Sequence, residues 1–318
     1  MRYAHFTSPI RRYADLIVHR ALITALNLGI GSAISVLIFI CVGIIAFTQP
    51  VAWAGTFTRN AAAAAPVQWC RSAQGRKVSG LVVNSGNANA CTGPAGDAAV
   101  RATAAAAADS LGCAPNEVLI ASTGPIGVEL PVDVLTAALP DAVSSLAEGV
   151  DSFSRSIMTT DTHPKVARRE VGDAVVVGVA KGAAMLAPNM ATMLAFVATD
   201  AAVDEAALGS LITDAVEQSF NRISVDACES TNDSVFMFAT GSSPAPEVDA
   251  LVQATTSVCK DLALAMVRDA EGGTKLLRIS VEGAQDEAAA APLGVGVALH
   301  LAQLALFPPL ALRQRAPV

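Results

Sequence analysis

The sequence predicts an α/β fold, with a body of layered sheets and helices over residues 54–288 that follows an apolar helix. Three observations carry this expectation. Short β-branched runs alternate with stretches of helical period, a pattern that favours sheets stacked against helices. Only 4% of the residues are aromatic while alanine is abundant, which suits close packing of small side chains. Near the N-terminus, residues 21–47 carry no charged side chain.

Arg2, Arg11, Arg12 and Arg20 precede that uncharged stretch, and residues 34–47 are its most apolar part. It has the ~20 residues needed to cross a bilayer, and the positive-inside rule would keep the N-terminus cytoplasmic. We therefore expect an apolar, membrane-competent segment at residues 32–53. A cleaved signal ending near Ala52-Trp53-Ala54 and a buried segment are the alternatives. In the body, Leu81-Val82-Val83, Val118-Leu119-Ile120, Val175-Val176-Val177 and Ser234-Val235-Phe236-Met237-Phe238 are strand-like. Residues 96–110 are alanine-rich with Asp97 near the start, and residues 204–219 place Ala207, Leu208, Leu211, Ile212 and Ala215 at a helical period. Residues 289–318 form an apolar, proline-interrupted tail without assignment, and Pro308-Pro309 would stop a helix there.

Composition excludes several functions. A net charge of −7 and a pI near 5.1 argue against a general nucleic-acid surface. The six cysteines form no C-x-x-C pair and the four histidines have no metal-ligand spacing, so we expect reduced, mostly buried thiols and no metal site. Gly272-Gly273-Thr274-Lys275 lacks the spacing of a phosphate loop, and Gly29-Ile30-Gly31 is an incomplete dinucleotide fingerprint.

Two family resemblances stand on quoted motifs. Residues 3–20, with Thr7-Ser8-Pro9-Ile10-Arg11-Arg12-Tyr13 at their centre, resemble a signature late in the catalytic domain of ribonuclease R and ribonuclease II, and residues 1–31 are assigned to that fragment. In those enzymes the metal-binding aspartates lie upstream of the signature. The chain opens at Met1, so two-metal phosphodiester cleavage is not expected.

The body resembles the ornithine acetyltransferases, the bifunctional glutamate N-acetyltransferases of arginine biosynthesis, in seven patches that keep the family's order. The first joins residues 55–60 to Ala65-Pro66-Val67-Gln68-Trp69-Cys70-Arg71, and the next two are Val83-Asn84-Ser85-Gly86-Asn87-Ala88-Asn89-Ala90 and Ala121-Ser122-Thr123-Gly124-Pro125-Ile126-Gly127. Met158-Thr159-Thr160-Asp161-Thr162-His163-Pro164-Lys165 follows, then the tract from Lys181 to Phe196 with Pro188-Asn189-Met190-Ala191-Thr192 inside it. Residues 219–226 with Ser230-Thr231-Asn232-Asp233, and Asp269-Ala270-Glu271-Gly272-Gly273-Thr274-Lys275, complete the series.

The resemblance implies a layered αββα body of the N-terminal-nucleophile type, self-cleavage between Ala191 and Thr192, and no metal or organic cofactor. It implies that Thr192 is the nucleophile, that the Thr123 hydroxyl and the Gly124 amide form the oxyanion site, and that Thr159, Lys181 and Glu271 hold the amino-acid substrate. Thr160 is the alternative at the Met158 patch. A hydroxyl needs a base beside it, and cleavage would free the α-amine of Thr192 for that role. The implied substrates are N-acetylornithine and glutamate, with acetyl-CoA as a further candidate donor. The implied assembly is a heterotetramer of two α and two β chains in the cytoplasm. The resemblance fades after residues 278–284, so a site that favours hydrolysis over transfer is expected. An inactive fused fragment tethered to a membrane through residues 21–47, and an RNA-binding fragment at the N-terminus, are the competing readings.

Overall fold

The computed structural model describes residues 41–147, 149–186 and 193–306. Among them seven strands form one sheet in the order β3-β2-β1-β7-β6-β5-β4. The strands are β1 (Cys41–Phe57), β2 (Val78–Ser85), β3 (Val118–Thr123), β4 (Lys165–Val171), β5 (Ala174–Lys181), β6 (Leu194–Ala201) and β7 (Ser234–Ser243). The helices are α1 (Ala65–Ala73), α2 (Pro94–Leu111), α3 (Val132–Ser144), α4 (Asp151–Ser156), α5 (Glu205–Glu217), α6 (Val248–Arg268) and α7 (Glu287–Leu306).

Strand β1 is the hinge of the architecture. Its first part pairs antiparallel with β2 up to Ala46, the register shifts between Ala46 and Val51, and Ala52 to Phe57 then pair with β7. Exposed Gln49 and Pro50 lie in the shifted stretch, where a residue without an N–H costs no ladder bond. The sheet therefore has two halves joined by one long strand.

Alternation of side chains shows how the halves stack. Val82 and Ile120 face Val100, Ala104, Ala107 and Leu139 of α2 and α3. Their neighbours Leu81, Val83, Leu119 and Ala121 point the other way and share a core with Val179, Phe196, Phe236 and Phe238 of the second half. Ala195, Val197, Val235 and Met237 then face α5 and α6. The order is helix, sheet, sheet, helix, so the layered α/β body is present. The few aromatic residues concentrate in the middle layer, where Phe196 and Phe236 stack with ring centroids 5.4 Å apart and Phe153 meets Phe196 edge-on at 5.0 Å.

Local signals explain the helices. Helix α2 has Pro94 at its first turn, Asp97 against the positive end of its dipole, and Gly112 closing it in the left-handed region. Helix α5 is capped by Asp204, whose carboxylate accepts the Ala207 amide at 2.8 Å. Helix α6 packs so closely on β5 that a Cβ at Gly178 would lie 2.6 Å from Val258 and 2.8 Å from Leu262. Among the described residues α6 is also the one helix long and apolar enough to cross a membrane, and half of it is buried inside the body, as a core helix is.

Three expectations need correction. From Cys41 onward the apolar segment placed at residues 32–53 is strand β1, not a membrane helix, and β1 runs through the expected boundary before residue 54. It is apolar because helices cover one of its faces and the middle layer covers the other. Residues 1–40, with the ribonuclease-like signature and the rest of the uncharged stretch, lie outside the described residues. The thiols are not mostly buried: Cys70 and Cys259 are, Cys41 and Cys113 are half-buried, and Cys91 and Cys228 are exposed. The tail is helical from Glu287 to Leu306 with Pro292 inside α7, while Pro308 and Pro309 lie outside the described residues.

Candidate active site

Adjacent ends of β3 and β5 and the loop after α4 converge on one buried ammonium group. Lys181, the last residue of β5, is 3% exposed. Its Nζ donates to the Thr123 Oγ1 at 3.1 Å and to the Thr159 Oγ1 at 2.7 Å. Three residues separated by 58 and 22 positions along the chain thus meet at one nitrogen. An ammonium carries three hydrogens, and among the described residues two are committed to hydroxyls, which leaves one for an incoming acceptor.

Thr123 closes β3, and the chain turns sharply after it. Gly124 has φ +141°, and a Cβ there would lie 2.4 Å from the Asn87 amide nitrogen. Only glycine fits that approach. The facing loop is bound on both sides, by Gly86 N–H to Thr123 O at 2.8 Å and Ala88 N–H to Pro125 O at 3.0 Å. Buried amides lock the turn further, because the Asn84 Nδ2 donates to Asn87 O at 2.8 Å and the Asn87 side chain accepts the Asn89 amide at 2.7 Å. Thr123 is 4% exposed, so its hydroxyl sits in a site from which water is largely excluded.

Behind Lys181 lies a buried ionic triad. The Lys165 Nζ donates to Asp161 Oδ1 at 2.6 Å and to Asp269 Oδ2 at 2.7 Å, and the lysine side chain is fully buried. Asp161 also accepts the Gly182 amide at 2.7 Å and the Thr159 amide at 3.1 Å, so one carboxylate fixes the backbone on both sides of the Lys181–Thr159 contact. Asp269 accepts the Thr162 amide at 2.9 Å. Two residues after Asp269, the Glu271 amide binds Ala183 O at 2.7 Å, which brings the Glu271 backbone against the stretch following Lys181. The site residues expected from sequence are therefore in two groups: the side chains of Thr123, Thr159 and Lys181 meet, with Gly124 in the adjoining turn, and Glu271 is tied to the stretch after Lys181 through its backbone. Ala191 and Thr192 lie outside the described residues, and Thr160 makes no contact with Lys181 comparable to that of Thr159.

The charges are tuned by burial and by one another. Burial pushes the Lys181 ammonium down, Asp161 opposes this, Lys165 adds to it, and Asp233 opposes it again, with a net lowering. Burial pushes the Asp161 carboxyl up, but Lys181, Lys165 and the Gly182 amide outweigh it and hold the carboxyl below its ordinary value. Asp269 is lowered in the same way, mainly by its bonds from Lys165 and Thr162 once burial is overcome. A carboxylate whose folded pKa lies below its unfolded one stabilises the fold above the unfolded pKa, and this is lost as pH falls through the folded pKa. The stability gap between the native protein and Asp161→Asn is thus expected to be full near pH 7 and to close as the pH is taken below about 4. Paired denaturant titrations across that range measure it, and a gap that is constant with pH would show that Asp161 is not held ionised by its partners.

Sequence reasoning quoted the patches that hold Asp161, Lys165, Asp269 and Asp233 but gave none of them a role. The available signal was the i, i+4 spacing of Asp161 and Lys165 beside a hydrophobic strand. Lys165 points inward where β4 would conventionally bury Val166, which is 44% exposed.

Comparison with known proteins bears on the same residues. Residues 1–28 match the RNB domain, in agreement with the ribonuclease-like signature. A Gluconobacter oxydans protein described as "Arginine biosynthesis bifunctional protein ArgJ" is 48% identical over 259 residues, covering 77% of this chain and 61% of that protein. A Methylococcus capsulatus protein of the same description is 46% identical over 267 residues, covering 80% and 65%. The chain spans under two thirds of the length of these relatives. The solved structure of ornithine acetyltransferase complexed with ornithine from Mycobacterium tuberculosis is 36% identical, covers 46% of this chain and 82% of that one, and has a TM-score of 0.41. The sequence model of the ArgJ family matches residues 41–307, from the first residue of β1 to just past α7, and so takes in every wall of the site, which makes this chain a member of the ArgJ family.

Proposed function

We propose that the chain transfers an acetyl group from N-acetylornithine to glutamate through an ester on Thr192, after self-cleavage between Ala191 and Thr192. The observation that carries this reading is the meeting of Thr123 and Thr159 on the Lys181 ammonium, beside a turn that only glycine can make. In the first half-reaction the Thr192 hydroxyl attacks the acetyl carbonyl, the carbonyl–nitrogen bond breaks, and the hydroxyl proton passes by way of the Thr192 α-amine to the departing ornithine amine. The second half-reaction runs the same bonds in reverse with the amine of glutamate. Negative charge develops on the acetyl oxygen in both, and the Thr123 hydroxyl and Gly124 amide are the fixed donors assigned to it. The remaining Lys181 hydrogen suits an α-carboxylate, and the Glu271 carboxylate suits an ammonium group such as the side-chain one of N-acetylornithine, so the pair reads a zwitterion from both ends. Acetyl-CoA is the second donor to test. Cleaved α and β chains assembled in pairs, in the cytoplasm, complete the reading.

The test is to mix the purified chain with N-acetylornithine and glutamate and to follow ornithine and N-acetylglutamate, with Thr192→Ala as the blank. Equal release of the two products supports transfer, ornithine released with acetate in place of N-acetylglutamate marks the hydrolytic bias expected from the sequence, and no release above the blank ends the reading. Thr123→Ala removes a hydroxyl and a methyl from a wall that keeps its backbone bonds, so the fold is expected to persist while turnover drops about 10²–10³-fold, the cost of one preorganised donor. Unchanged turnover in that variant would take Thr123 out of the site.

A further inference from the structure

Both shoulders of the tract around the proposed cleavage point hang from one short segment, residues 226–233. On the upstream side Asp226 accepts the Met185 amide on Oδ2 and the Leu186 amide on Oδ1, the latter at 2.9 Å. The Val225 N–H returns a bond to Leu186 O at 2.7 Å. On the downstream side the Asp233 Oδ1 accepts the Met193 amide at 2.8 Å, and the Ser234 N–H donates to Met193 O at 3.2 Å. Between the two aspartates Asn232 reaches the third part of the site, because its Nδ2 donates to Ser122 O at 2.9 Å and to Ala88 O at 2.6 Å. Ser122 immediately precedes Thr123, and Ala88 lies in the loop that packs on Gly124.

The segment has the marks of a rigid support. Met185 and Ala227 hold φ of +56° and +57°, a conformation that side-chain-bearing residues seldom adopt and that persists where surrounding bonds over-determine it. The segment is tied to the sheet by Thr58 N–H to Asp233 O at 2.9 Å and by the Thr58 hydroxyl to Ser230 O at 2.7 Å. Asp233 is fully buried. Its Oδ2 has no hydrogen-bond partner among the described residues, which is costly for a carboxylate in the interior.

We propose that Asp226, Asn232 and Asp233 are positioning residues that keep the chain on both sides of the Ala191–Thr192 bond in register with the Thr123–Gly124 turn, before that bond is cut and after it. The proposal rests on the cleavage reading above. An intact peptide holds its own ends together, but two new termini do not, and independent hydrogen bonds on each side are what would keep a freed Thr192 facing its oxyanion donors. Displacing a reacting group by about 1 Å costs on the order of 10²-fold in rate. Burial pushes the Asp233 carboxyl well above the usual carboxylate range, against the pull of the Met193 amide, the Ser230 hydroxyl and Lys181, which favours its neutral form. Asparagine is then its near isostere: it retains the oxygen that accepts the Met193 amide.

Two readouts on the purified full chain test this: the rate of division followed by intact mass, and hydrogen exchange of the peptides spanning residues 185–194. Asp233→Ala is expected to divide about 10²-fold more slowly, and Asp233→Asn to regain about tenfold of that loss. In Asp233→Ala, exchange should quicken at Met193 by at least about tenfold while β6 and β7 stay protected, a local change that loss of general stability would not give. Asp226→Ala, at a half-buried position, should quicken exchange at Met185 and Leu186 and slow division in the same direction. A native chain that stays whole while Met193 exchanges slowly overturns the cleavage reading and leaves the support standing. A native chain that divides while Met193 exchanges freely, or an Asp233→Ala chain that divides at the native rate, overturns the positioning role and leaves the cleavage reading standing.

Discussion

Thr192→Ala is expected to run as one species of about the full 32.4 kDa, whereas the native chain is expected to divide into residues 1–191 and 192–318. The expectation is all-or-none because the hydroxyl is both agent and product of the step. It attacks the carbonyl of Ala191, the acyl group moves from nitrogen to oxygen, and water hydrolyses the ester to leave a free α-amine on Thr192. Without the hydroxyl no ester forms. Acetyl transfer should vanish with it, since the same oxygen is the proposed nucleophile and the freed amine its base. Intact mass of the two proteins, after folding is checked by circular dichroism, decides the matter. Native protein that is well folded yet shows only the full-length mass removes Thr192 from the nucleophile's role, whatever the neighbouring motifs suggest. Thr192→Ser offers a graded control, because it keeps a hydroxyl and loses only the methyl that limits its rotamers.

The fold was legible where one face of an element is covered and the other is not. Helices α2 and α5 fall within two residues of their expected bounds, because Asp97, Asp204 and the apolar period mark their ends and faces. The cores of β2, β3, β5 and β7 likewise stood out as β-branched and aromatic runs. β1 did not, since both of its faces are partly covered in the layered body and its sequence has no alternation to read. An uncharged run of that kind looks the same as a membrane span until its partners are known. α6 was missed for the opposite reason: its buried face includes Thr255 and Thr256 among the apolar residues, which blurs the period.

Thr123, Gly124, Thr159 and Lys181 were reached through patches that resemble the ornithine acetyltransferases, not through their residue types alone, and the fold brings Thr123 and Thr159 onto Lys181. Their supports were not legible in the sequence. Lys165 and Asp269 lie 104 positions apart, and Asp233 meets Met193 across 40, so nothing local in the chain announces either contact. These residues are charged groups that a sequence reading assigns to solvent by default. Only the sheet order, which brings the starts of β4, β6 and β7 beside the end of β5, turns them inward.

The ionic triad should reveal itself most strongly through Lys165. Lys165→Ala leaves Asp161 and Asp269 buried with their shared cation gone, and breaking a buried pair in this way costs about 3–5 kcal/mol of stability. Asp161 would then tend to take up a proton, and its bonds to the Gly182 and Thr159 amides, each made to a charged acceptor, would weaken. That is the route by which a residue with no contact to the Lys181 hydroxyl partners would still disturb them. A neutralised triad, Asp161→Asn, Lys165→Met and Asp269→Asn together, separates the two effects, since replacing all members of a buried ionic group with neutral ones is often close to neutral for stability. We expect the triple variant to recover most of the unfolding free energy lost in Lys165→Ala, as read by denaturant titration, but to transfer acetyl groups more slowly than the native chain, because an asparagine at 161 no longer supplies the carboxylate that most supports the Lys181 charge. Full recovery of both stability and transfer would mean that the triad supports the fold alone, and that Lys181 is held in place by Thr123 and Thr159 without help from behind.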